Sequence, residues 1–114
     1  MKDKTTGMIL KVVIDDQVYP ITVPDQIVSD ASDFFDRIDR DMDKGWQMSR
    51  DWVDNPNREQ RCQIVGDKML TAMHNDDERL MVLLSAYVLK RVPGVTGIRI
   101  DTNGEMLETE LVIG

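Results

Sequence analysis

The chain has 114 residues, 41% apolar and 31% charged, and its 21 acidic residues against 14 basic ones leave a net charge of −7. That is the length of one domain, with enough apolar content to bury a core without disulfides or metal. The acid excess, with no concentrated basic stretch, argues against nucleic acid and against anionic membrane surfaces as partners.

A single cysteine, Cys62, cannot make an internal disulfide and suits a reducing compartment. No apolar run of signal-peptide length precedes the first charges. The most apolar run, residues 80–89, is too short to span a bilayer. The expectation is a soluble, cytoplasmic protein.

Residues 1–7 read as a loose tail, and 8–114 as a single α+β domain. Residues 8–14 (MILKVVI) and 18–23 (VYPITV) are β-rich runs joined by Asp15-Asp16-Gln17, a hairpin with a short loop. Pro20 cannot donate to a ladder, which puts the second strand at an edge or Pro20 at a bulge. The first strand is apolar on both faces, so both are expected to be covered.

Residues 25–53 form the dominant stretch. Ile27, Ala31, Phe34, Phe35, Ile38, Met42, Trp46, Ser49, Trp52 and Val53 fall in one arc of roughly 120° on a helical wheel. Nine aspartates lie in or just after it against four bases, so most of the chain's negative charge sits here. Pro24 suits a helix start. Gly45 could end the helix as a left-handed cap. The unbroken apolar phase favours continuation, giving one helix over 25–53 of about 43 Å. A domain of this size is only about 30 Å across. The tryptophan-bearing end would then project unless a second subunit covered it.

Asp54-Asn55-Pro56 reads as a cap with proline just inside a second helix over 56–74. Asn75-Asp76-Asp77-Glu78 caps a third helix over 76–92, whose apolar residues run almost all round, as in a central core helix. Residues 95–101 and 105–113 flank Asn103-Gly104, the pair that favours a type I′ hairpin turn. With those two as the turn, Ile100 faces Leu107, Ile98 faces Thr109 and Arg99 meets Glu108. Two hairpins (8–23 and 95–113) therefore flank three helices. The simplest packing is a four-stranded antiparallel sheet with helices on one face. The alternative keeps the hairpins apart and pairs one across a dimer.

Candidate chemistry is sparse. Asp39, Asp41 and Asp43 open like a calcium loop, but Lys44 and Arg50 stand where glycine and the bidentate glutamate are needed. They read instead as a solvated acidic face with Asp33–Arg37 and Asp36–Arg40 pairs. Cys62 and His74, twelve residues apart on one helix, are about 18 Å apart along its axis, too far for a thiol–imidazole pair. No phosphate loop, nucleophile elbow or metal motif is present. Neither an enzyme nor a cofactor is expected.

What remains is 45–52. Gly45 and Ser49 lie mid-arc and permit close approach, and Trp46, Met48 and Trp52 are candidate anchors. These five residues either close an internal helix crossing with Gly66 or form a contact for another chain. The expected function is a small acidic interaction or assembly protein, homodimeric through its long helix or bound to another protein. The alternative is a small-molecule binding module with a Met- and Leu-lined pocket between sheet and helices.

Overall fold

The computed structural model describes residues 7–114. The expected tail lies outside them except for Gly7, which opens β1 opposite Pro24. β1 (Gly7–Ile14) and β2 (Gln17–Pro24) form an antiparallel hairpin. Asp15 and Asp16 both have positive φ, 51° and 67°, the backbone of a two-residue turn matched to strand twist. β2 is an edge strand, as Pro20 requires.

The long helix does not exist. α1 (Asp25–Asp30) stops at Ala31, and α2 (Ser32–Asp43) follows at once. Gly45, with φ 115°, then turns the chain out of helical geometry. Residues 46–53 become a small hairpin, β3 (Trp46–Met48) and β4 (Asp51–Val53), pairing Trp46 with Val53. In WQM, Trp46 and Met48 face inward on either side of an exposed Gln47, whereas DWV shows no such alternation. The spacing of Met42, Trp46, Ser49 and Val53 also fits a helix, and the glycine decides between the two.

α3 (Arg58–His74) starts two residues later than expected. Its cap is Asn57, whose side chain accepts from Gln60 N while Gln60 accepts from Asn57 N, a full capping box. α4 (Glu78–Arg91) is capped by Asp77, which accepts from Leu80 N. Met81 and the run from Leu84 to Leu89 are buried in it, so α4 is the central helix that its composition implies.

The main sheet has the order β2-β1-β5-β6 and is mixed, not antiparallel. β5 (Val95–Ile100) lies parallel to β1, with Val12 opposite Ile98. Parallel pairing needs a long crossover, which the helices supply. β6 (Glu110–Ile113) pairs antiparallel with β5, but not through a tight turn at Asn103-Gly104. Asp101 accepts from the amides of Asn103 and Glu105, and Met106–Glu108 coils into a 3-10 turn. Gln63 on α3 holds this loop by donating to Leu107 O and Thr109 O, both at 3.1 Å. The wider loop shifts the register, so Ile98 faces Leu111, and Arg99 pairs with Glu110 instead of Glu108.

Leu10, Val12, Val23, Ile98 and Ile100 point to one side of the sheet and are buried under α3 and α4. Phe35, Ile38 and Met42 of α2 complete the core. Gly66 on α3 packs on the sheet, where a β-carbon would stand 3.2 Å from Thr109 Cγ2 and 3.3 Å from Ile98 Cδ1. The expected crossing of Gly66 with Gly45 is therefore absent.

Candidate interaction surfaces

The five residues singled out by sequence separate in space. Met48 is fully buried and belongs to the core. Ser49, at the tip of the small hairpin with φ 58°, donates its hydroxyl to Gly104 O at 3.2 Å. Trp46 is half-buried, with the Lys68 ammonium 4.7 Å from its ring. It forms one wall of an open groove of about 440 Å³, with Phe34, Ile38, Leu80 and Leu84 as its apolar lining. Trp52 is 59% exposed. Its Nε1 donates to Asp54 Oδ1 at 2.8 Å, and its indole lies against Gly45.

A different surface stands out once the strands are in register. Ile9, Val13, Val18, Pro20 and Val112 all point away from the helices, with Lys11, Thr22, Arg99 and Glu110 among them. Ile9 is 53% and Val18 55% exposed. Gly97 sits among these side chains and presents none of its own. Among the described residues no element lies on this face. The two-sided apolarity of β1 was legible in the sequence, but among the described residues only its helix-facing side is covered.

Sequence reasoning missed one polar cluster. Asp39 on α2 accepts from the Tyr87 hydroxyl, from Arg91 Nη2 at 2.6 Å and from Arg61 Nη1 at 3.2 Å. Arg61 also pairs with Asp43 at 2.8 Å and donates to Pro56 O and Asn55 Oδ1. The guanidinium of Arg91 stacks over the Tyr87 and Phe35 rings. Burial alone would raise the Asp39 carboxyl, but the bonds from Tyr87, Arg91 and Arg61 outweigh it and hold the group below its ordinary value. Burial, followed by the bond to Asp39, holds the Tyr87 phenol well above its ordinary range. The cluster ties α2, α3 and α4 together. The available signal was the position of Asp39, four residues from Phe35 at the margin of the apolar arc, and the i, i+4 spacing of Tyr87 and Arg91 on α4.

Cys62 is fully buried, and burial pushes its thiol up to about 12. His74 Nδ1 lies 2.9 Å from Leu70 O on its own helix. Asp39 faces two arginines, which a cation bound by Asp39, Asp41 and Asp43 would have to displace. Among the described residues no helix is long and apolar enough to cross a membrane. No protein-family model, no curated protein and no solved structure matches the chain.

Proposed function

We propose that the protein is a small assembly module that forms a homodimer through the outward face of its main sheet. The observation that carries this is the row of Ile9, Val13, Val18 and Val112 on a face with no covering layer among the described residues. Two-layer folds bury a sheet's second apolar face only by adding another layer, and a second copy supplies one. Packed face to face, two such sheets lie about 10 Å apart with their outward side chains interdigitated.

Size and charge favour a second copy over other occupants. Four strands about 4.8 Å apart and about 20 Å long give a footprint near 400 Å². Two such faces, with their side-chain relief, bury on the order of 1,000 Å², the lower limit for a specific interface. The outward charges are Lys11, Arg99 and Glu110, and the last two pair at 3.1 Å. Charge therefore nearly balances among the outward strand residues, while Asp15, Asp16, Asp101 and Glu108 gather at one end beside Val13 and Arg99, so the contact centres on Ile9, Val18, Pro20 and Val112. The contact replaces the long-helix dimer expected from sequence, because that helix is broken at Ala31 and ended at Gly45.

Sedimentation velocity over a concentration series tests the reading. Wild type should pass from monomer to dimer at micromolar concentrations. Ile9→Glu with Val18→Glu should stay monomeric with an unchanged far-UV spectrum. Wild type that stays monomeric at hundreds of micromolar, or a dimer that survives both charges, would overturn it.

A further inference from the structure

A pocket of about 340 Å³ opens on the helix side of the sheet, between β2 and the corner joining α3 to α4. It is at the small end of the range for small-molecule sites, roughly 300–1,000 Å³. Ile21, Ala72, Met73, Met81 and Val82 form its apolar wall, and Tyr19 closes one side. The sequence raises a Met- and Leu-lined pocket as its alternative; this cavity is lined by two methionines and no leucine. The sequence offered no convergent polar set for such a cavity. The fold supplies one: Asp76, Asp77 and Glu78 stand together at the rim.

The charge of this rim is one-sided. No lysine, arginine or histidine lines the pocket, and the neighbouring His74 and Arg79 are outside its lining. The C-terminus of α3 and the N-terminus of α4 meet at this corner, so their opposite dipole ends offset each other. Three carboxylates remain. Asp77 is partly engaged as the cap of α4, while Asp76 and Glu78 are exposed. The Tyr19 ring adds an aromatic face that attracts a cation.

We propose that this pocket binds a small organic ammonium compound. Its apolar body lies against Ile21, Met73 and Met81, and its ammonium lies between Asp76 and Glu78, beside Tyr19. A carboxylate or phosphate ligand would meet like charge at the rim, whereas an ammonium meets the exposed Asp76 and Glu78. Apart from Thr22, no residue of its lining belongs to the outward face, so Ile9→Glu with Val18→Glu and Asp76→Asn with Glu78→Gln test the two readings separately.

Methionine-methyl NMR of the full chain with octylammonium, octanol and octanoate tests the proposal. Octylammonium should produce saturable shifts at Met73 and Met81. Octanol should bind about ten-fold more weakly, which is about 1.4 kcal/mol, and octanoate should not saturate. Asp76→Asn with Glu78→Gln leaves the Asp77 cap in place and should weaken octylammonium alone, with the unfolding midpoint as the fold control. Saturable shifts absent from Met73 and Met81, octanol binding as tightly as octylammonium, or an unaffected double variant would each overturn the assignment.

Discussion

A β-carbon added to Gly45 would stand 2.5 Å from Cζ2 of Trp52 and 2.7 Å from its Nε1. The glycine ends α2 with φ 115°, and the indole of β4 folds back over the space its missing side chain leaves. Turn and ring contact depend on the same absent atom. Gly45→Ala should therefore cost about 2 kcal/mol, from backbone strain and a displaced indole. Trp52→Ala, which removes a mostly exposed ring, should cost under about 1 kcal/mol. Urea unfolding of the two variants checks this, with the fluorescence of Gly45→Ala reporting the displaced tryptophan. A neutral Gly45→Ala would mean that the chain does not turn there.

Asp39→Asn leaves Arg61 and Arg91 facing a neutral amide across three helices. Removing one partner of a buried ion pair costs about 3–5 kcal/mol. The side chains of Asp39 and Arg91 keep about a quarter of their exposure, 24% and 28%, which lowers the expected loss to about 2–3 kcal/mol at neutral pH. The folded-state carboxyl lies below its ordinary value of 3.8. Its stabilisation is thus complete above roughly pH 4 and fades as the pH falls through the lower folded-state value. Urea curves at pH 7 and pH 3 should show the gap between wild type and Asp39→Asn narrowing at acid pH. An equal gap at both would mean that the charge of Asp39 contributes nothing.

The parts that local chemistry dictates were legible in the sequence. They include the first hairpin with its edge proline, the acidic cap of α4 and its central character, and the two-sided apolarity of β1, whereas the cap of α3 is Asn57 and not the expected Asp54-Asn55. Three features were hidden, for physical reasons. Met42, Trp46, Ser49 and Val53 keep the helical period through residues 42–53, and a positive φ at Gly45 turns the chain into a hairpin instead. Asn103-Gly104 carries a strong turn preference, but Asp101 and Gln63 hold a wider loop through side-chain bonds that local propensity does not register. The Asp39 cluster joins Asp39 and Asp43 of α2 to Arg61 of α3 and to Tyr87 and Arg91 of α4, and only the spacing within each helix, not the meeting of the three, is written along the chain. The five candidate contact residues were read from a helix that does not form, which is why they disperse into core, groove, turn and surface.

The parallel pairing of β1 with β5 rests on another close approach. A β-carbon on Gly97 would meet the Lys11 carbonyl oxygen at 2.8 Å, and that oxygen belongs to backbone that cannot swing aside. Gly97→Ala should part the two central strands and cost about 2–3 kcal/mol. Hydrogen exchange should show the loss at the amides of β1 and β5 before those of β3 and β4. A sheet made of two antiparallel hairpins, as the sequence alone suggests, gives this glycine no such neighbour. A harmless Gly97→Ala would count against the mixed topology.

Cys62 offers a direct readout of global opening. Its side chain is fully buried on α3, and the thiol is pushed up to about 12, so at pH 8 it is neither reachable nor ionised. Unfolding removes both barriers at once and returns the group to its ordinary value near 8.5. The reaction of native protein with a disulfide reagent at pH 8 should therefore be at least about a thousand-fold slower than in guanidinium, the ratio set by a typical folding equilibrium. The native rate should rise with urea in parallel with the unfolding equilibrium. Asp39→Asn should accelerate it by the same factor by which it lowers stability. Fast labelling of native wild type would mean that α3 opens locally and that the core around Cys62 is less closed than its burial indicates.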